Sequence, residues 1–248
     1  MENYTDPISL FKQTNFSNTI WWKLKVNTSG YQNETENKLV TEIFKNRIFK
    51  LIYPNTHQSN HKFSRILVQL YEDGYICWIN LDGLIIEKYE LRKNENLNNE
   101  NFSIQDKIPI ILKWIKDQAE LTNEYLWGGT LGPNFDCSGL IQTAFFKHHI
   151  YIPRDSYQIK GFCKHLFYFK ESYADLEPGD LLFFGNEEKC DHIGIYKGDG
   201  LYYHSSGKNF GRNGIGLDTL ENSNDKISLH YKSKLISTGR VLRSYRWD

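Results

Sequence analysis

The sequence predicts two domains in series, a small β-barrel over residues 1–92 and an α+β domain over residues 104–248. Three observations carry this. Residues 39–90 hold short runs rich in Ile, Val, Tyr, Phe and Trp, broken at Asp73-Gly74 and Asp82-Gly83. Residues 91–103, LRKNENLNNENFS, are polar and show no apolar period. Beyond them helical periodicity comes first and strand patterns follow, the order expected of an α+β domain.

In the first domain, IFKLIY and RILVQLYEDGYICWINLDGLII read as strands. Asp-Gly between such runs is a hairpin signal, so a hairpin is expected at each of the two breaks. Several short strands with tight turns suit a small barrel. The polar stretch 91–103 reads as a linker.

In the second domain, residues 104–121 carry Ile108, Ile111, Leu112, Ile115 and Ala119 at spacings of three and four, an amphipathic helix with Pro109 placed in its first turn. A second helix is expected from DCSGLIQTAFFKHH, with Leu140, Ile141, Ala144 and Phe145 on one face. GDLLFFG, DHIGIY and LYYHSS then read as strands, the last two joined through KGDG.

Composition narrows the function classes. Apolar residues make up 40% and charged residues 24%, enough for a packed core. Lys plus Arg and Asp plus Glu are 30 each, so no basic excess points to nucleic acid. MENYTDPISLFKQTNF has neither the basic nor the apolar region of a secretory signal. IPIILKWI is far shorter than the ~20 residues of a membrane span. The expectation is a cytoplasmic protein without membrane or nucleic-acid partners, whose four cysteines are thiols.

Of those four, Cys137 stands apart. It sits between Asp136 and Ser138 at an expected helix start, with Gly139 allowing close approach. Unpaired N–H groups and the helix dipole there favour a thiolate, so its pKa is expected to fall. Cys77, Cys163 and Cys190 read as inert buried thiols. No C-x-x-C accompanies the one H-x₃-H spacing, His57 to His61, so no metal site and no cofactor is expected.

A nucleophilic cysteine needs a base and a group to orient it. Of eight histidines, His192 and His204 lie on sequential strands. His57 and His61 fall in a polar loop, His148 and His149 at a helix end, and His165 and His230 near no motif. A three-residue loop, 197–199, would set His192 directly opposite His204 on one face, whereas a two-residue loop would send them to opposite faces. On spacing alone, a Cys–His–His triad and two ordinary strand histidines both remain open.

EYLWGG (124–129), DCSGL (136–140), IPRDSYQ (152–158), LEPGDLLFF (176–184), DHIGIY (191–196) and YYHSSG (202–207) resemble, in this order, the NlpC family of papain-like cysteine peptidases. The resemblance covers about residues 105–245 and implies a papain-like α+β fold, with Cys137 as nucleophile, His192 as base and His204 as orienter. LVTEIF and EDGYICWI resemble a bacterial SH3-like barrel. Together the two domains resemble the γ-D-glutamyl-L-diamino-acid endopeptidases, which cut murein peptides with a free N-terminal L-alanine. By that resemblance Tyr75 and Asp136 bind the alanine end, Tyr125 and Ser156 line the D-glutamate pocket, and Glu42 matches a barrel acid near the amino group. Asp155 and Ser138 fall within the same motifs and join the substrate-binding set. Asp136 also fits a helix cap alone, and Tyr75 a hairpin aromatic alone. The rival functions are an acyltransferase or amidase on the same scaffold, an exported wall hydrolase, and a non-catalytic wall-binding module.

Overall fold

The computed structural model describes residues 6–52, 64–91, 103–166, 173, 175–186, 188–209, 211–221 and 223–245. The expected linker, apart from Leu91 and Ser103, lies outside the described residues, as do His57 and His61. The chain divides into two compact units, Met1–Asn96 with Trp247–Asp248, and Leu97–Arg246.

The first unit opens with α1 (Pro7–Gln13), whose N-cap Asp6 accepts from the N–H groups of Ile8 and Ser9, with Pro7 at the first helical position. Seven strands follow: β1 (Trp21–Leu24), β2 (Thr28–Tyr31), β3 (Leu39–Ile43), β4 (Ile48–Leu51), β5 (Arg65–Leu70), β6 (Ile76–Asn80) and β7 (Ile86–Tyr89). They form one antiparallel sheet in the order β3-β2-β6-β5-β4-β1-β7. Trp22, Leu24, Phe49, Val68 and Ile79 fill the core, and Phe11 of α1 meets the Trp22 ring edge-on at 5.1 Å. Arg47 is buried between Glu72 and Asp73, tying the β3–β4 turn to the β5–β6 turn.

The hairpin expected at Asp73-Gly74 is present, with β5 paired to β6 and Gly74 at φ 67. The one expected at Asp82-Gly83 is not. Gly83 does turn the chain at φ 70, but β7 pairs with β1. The reason is that β6 already has β5 on one edge and β2 on the other.

The second unit comprises α2 (Ile104–Ala119), α3 (Cys137–Phe146), α4 (Ser156–Phe162), β8 (Lys164–Leu166), β9 (Leu181–Gly185), β10 (Cys190–Gly198), β11 (Leu201–Ser206), β12 (Gly214–Thr219), α5 (Lys226–Lys234) and β13 (Leu235–Arg240). Its six strands form an antiparallel sheet in the order β12-β11-β10-β9-β13-β8. This is an α+β fold. Ile108, Ile111 and Ile115 of α2 are buried, as their spacing requires. The helix starts at residue 104 as expected, and Pro109, its sixth residue, falls in the second turn and not the first.

The sheet buries both faces. Leu181, Phe183, Ile193, Ile195 and Tyr203 pack with α2, α3 and α4. Leu182, Phe184, Tyr196 and Tyr202 point the other way, towards Tyr231 of α5. Such two-sided burial gives β9 and β10 continuous apolar runs instead of alternation. Among the described residues no helix is long and apolar enough to cross a membrane.

Candidate active site

Cys137 is the first residue of α3 and 7% exposed. Asp136, the N-cap, accepts from Gly139 N at 2.6 Å. Gly139 has to be glycine, since a Cβ there would lie 2.1 Å from the Gly129 carbonyl oxygen. The close approach is therefore backbone on backbone. The backbone N–H groups of Ile193 and Ser138 favour a negative charge on the Cys137 sulfur, which places the sulfur beside the residue that follows His192.

His192 and His204 share one sheet face, but not by the expected register. β10 and β11 pair Ile195 with Tyr203 and Tyr196 with Tyr202, and a bulge follows before Gly198 meets Leu201. Continuing that register sets His204 across from Gly194, so the two imidazoles are diagonal neighbours and not direct ones. The turn causes this, because Gly198, Asp199 and Gly200 all take positive φ and lengthen it. The face is preserved because the register moved by an even number of residues. His192 Nε2 and His204 Nδ1 are 2.7 Å apart, their rings nearly perpendicular at 85°. His204 Nε2 in turn lies 2.6 Å from Asp218 Oδ2.

A buried cysteine at a capped helix start, followed by a buried imidazole pair, brings together the group types that nucleophilic thiol chemistry needs. Residues 122–230 match the NlpC/P60 family. The second unit carries an NlpC/P60 domain. A probable endopeptidase of Mycobacterium tuberculosis is 40% identical over 92 residues, 36% of this chain and 22% of that one. A bifunctional muramidase/DL-endopeptidase of Bacillus subtilis is 33% identical over 121 residues, 47% of this chain and 32% of that one. A γ-D-glutamyl-L-lysine dipeptidyl-peptidase of the same organism is 39% identical over 84 residues, 33% and 27% of the two chains. The matched stretches thus span about a fifth to a third of these relatives' own length.

Electrostatics within the NlpC/P60 domain correct one expectation. The Cys137 thiol is not lowered but pushed up to about 12, first by burial and then by the Asp136 carboxylate. Arg154 and the two N–H groups oppose this without prevailing. The helix start is real, yet Asp136 takes the Gly139 N–H and adds a negative charge beside the sulfur. Burial, helped by the nearby His204 and His230, also holds His192 well below the ordinary imidazole value of 6.5. His204 is lowered too, again chiefly by burial. At neutral pH the groups rest as a thiol and neutral imidazoles.

The remaining residues singled out from the sequence divide between the units. Ser138 Oγ accepts from Arg154 at 2.9 Å and lies 3.3 Å from Asp136 Oδ1. Tyr125 is bridged to Phe135, and burial raises its hydroxyl pKa, with Cys137 and Asp136 adding to the effect. Asp155 caps α4, its N–H meeting Gln158 Oε1 at 3.1 Å. Ser156 donates to the Cys190 carbonyl at 3.2 Å. Tyr75 and Glu42 belong to the first unit. Tyr75 lies in the β5–β6 turn, half-buried against that unit's core. Glu42 lies on β3 opposite Ser29. Among the described residues no group of three or more His, Cys, Asp or Glu could hold a metal ion.

Three further residues bear on the site. Arg154, 2% exposed, grips both oxygens of Asp136 at 3.1 and 2.6 Å. Tyr231 stacks on His192 at 4.5 Å and meets His204 edge-on at 4.6 Å. Asp218 holds His204. Arg154 lies inside the IPRDSYQ motif and is legible there as the only cation. Asp218 and Tyr231 follow connections of unknown geometry, and no spacing rule reaches them.

Proposed function

We propose that this protein is a cysteine peptidase that hydrolyses the γ-D-glutamyl–L-diamino acid bond of murein peptides. The observation that carries the reading is the hydrogen-bonded line from Asp218 through His204 to His192, with the buried Cys137 sulfur beside Ile193, the residue that follows His192. The likeness of the NlpC/P60 domain to a γ-D-glutamyl-L-lysine dipeptidyl-peptidase supports the choice of bond.

In the proposed reaction His192 Nδ1 takes the thiol proton as the Cys137 sulfur attacks the amide carbon. Backbone N–H at the start of α3, that of Cys137 included, stabilises the developing oxyanion. The intermediate collapses with cleavage of the C–N bond, and His192 returns its proton to the leaving amine. Water, deprotonated by His192, then cleaves the thioester and regenerates the thiol. His204 holds the His192 ring.

Tyr125, Ser138, Asp155 and Ser156 are proposed to shape the D-glutamyl pocket. The first unit, with Tyr75 and Glu42, is read as an SH3-like recognition module, and Asp136 is proposed to meet the free L-alanine end. Arg154 changes the expected strength of that last contact. Asp136 is already paired with a guanidinium, so losing the substrate ammonium does not strand a buried carboxylate. The proposed setting is the turnover of released peptides in the cytoplasm.

Digesting free L-alanyl-γ-D-glutamyl-diamino acid tripeptide, its N-acetylated form and intact murein side by side, with products read by mass, tests the reading. Release of the diamino acid from the free tripeptide is expected. No product from any of the three would sink the peptidase, and peptide release from intact murein alone would make it a wall hydrolase.

A further inference from the structure

Asp218 lies on β12, directly across from Tyr202, with Gly216 across from His204. It is thus diagonal to His204, as His204 is to His192. Its side chain is fully buried. Each of its two oxygens has a fixed task. Oδ2 faces His204 Nε2 at 2.6 Å. Oδ1 accepts from two guanidinium nitrogens of Arg212, Nε at 3.1 Å and Nη2 closer, and from Ser228 Oγ at 3.1 Å. Burial alone would raise this carboxyl, but hydrogen bonds from His204 and Arg212 outweigh it and bring the pKa to about 2. Asp218 is therefore a carboxylate, which can only accept.

That fixes every proton along the line. A carboxylate at Oδ2 requires a proton on His204 Nε2. A neutral His204 then has a lone pair on Nδ1, which accepts from His192 Nε2–H. His192 is left with its lone pair on Nδ1, the one ring atom able to take a thiol proton. We propose that Asp218 is the positioning residue that sets both tautomers and so makes His192 a base towards Cys137. This rests on the roles given to Cys137 and His192 above.

Arg212 makes the proposal sharply testable. Its two donors demand an acceptor in the Oδ1 place. In Asp218→Asn the amide oxygen must go there, and the NH₂ then faces His204 Nε2. That reverses the line: His204 carries its proton on Nδ1, and His192 is left with Nδ1–H facing the thiol. Removing Arg212 as well lets the amide turn over, since the Ser228 hydroxyl can accept as readily as donate.

The test uses the full chain with ¹⁵N-labelled histidine. Imidazole nitrogen shifts at pH 7.5 are assigned through His192→Gln and His204→Gln. Wild type should show protonated Nε2 and bare Nδ1 in both rings. Asp218→Asn should show the reverse, and Asp218→Asn/Arg212→Ala should restore the first pattern. In murein-peptide hydrolysis Asp218→Asn should lower kcat by on the order of 1,000-fold with KM little changed, as expected for a reversed tautomer. The double variant should regain at least about tenfold. A proton on His204 Nδ1 in wild type would overturn the proposal, and this arm needs no substrate. A double variant slower than Asp218→Asn would also overturn it, since a merely structural pair loses more when both members go. If wild type hydrolyses no murein peptide, the peptidase reading fails while the shifts still decide the role of Asp218.

Discussion

Replacing Arg154 by Met removes a charge while nearly conserving volume, so no cavity confuses the result. The guanidinium donates to Asp136 Oδ1 at 3.1 Å, to Asp136 Oδ2 at 2.6 Å and to Ser138 Oγ at 2.9 Å. After its loss the carboxylate, 7% exposed, keeps only Gly139 N on Oδ1, Gly128 N on Oδ2 and the Ser138 hydroxyl. Stranding one member of a buried ion pair costs about 3–5 kcal/mol, and the surviving backbone donors argue for the lower half of that range. Native-state hydrogen exchange of β9 and β10 amides reports the second unit separately from the first. Exchange there should quicken by roughly 10²–10³-fold, the factor that corresponds to about 3–4 kcal/mol. Asp136→Asn with Arg154→Met should recover about half, because the charge is gone but one amide oxygen cannot serve both glycine N–H groups. A single variant within about 1 kcal/mol of wild type would refute the claim that Arg154 is the counter-charge holding the start of α3.

Other outcomes follow from the same geometry. Cys137→Ala should fold normally and lose hydrolysis, read by product mass; retained activity would move the nucleophile elsewhere. His192→Ala should be nearly as damaging and His204→Ala less so, in kcat of the purified variants. With His192 as the proposed neutral base and its pKa lowered, kcat/KM should hold on acidification and fall only below the ordinary imidazole value of 6.5. A pH profile with its acid limb at or above that value would contradict the burial argument. Gly139→Ala places a Cβ 2.1 Å from a backbone oxygen and should cost about 1–3 kcal/mol or more, seen as a lowered melting temperature.

Much of the fold and part of the site are legible in the amino-acid sequence. The three-and-four spacing of Ile108, Ile111 and Ile115 specifies α2 because only one helical face can hold them. The Asp73-Gly74 turn is legible because a local backbone requirement decides it. Asp82-Gly83 misleads for the opposite reason. A turn specifies where the chain reverses, while the pairing depends on which edges distant strands have already taken. The imidazole pair is recoverable in part, since parity fixes the face and the bulge merely shifts the partner by an even step. Asp218 is not recoverable, because its register against His204 passes through the connection 207–213, whose geometry no turn rule specifies. Nor is any element expected before residue 39, where β1 and β2 are four residues each and too short to show a period.

The thiol shows most plainly where local rules stop. A helix start lowers a cysteine pKa when its N–H groups face an otherwise solvated sulfur. At Cys137 the cap carboxylate takes Gly139 N, burial removes water, and Arg154 directs its charge to Asp136. The same burial that raises the thiol lowers His192, so both changes favour the neutral pair over the ion pair. Proton transfer from sulfur to imidazole is then unfavourable at rest and becomes useful only as the sulfur commits to the carbonyl carbon. In the proposed mechanism the catalytic burden then falls on the direction in which His192 points its lone pair. A preformed ion pair would tolerate either orientation of the outer imidazole more readily, whereas a neutral base with the wrong tautomer has nothing to accept with. The proposed role of the line from Asp218 through His204 thus follows from the electrostatics of Cys137 itself, even though the carboxylate is three side chains away from the sulfur.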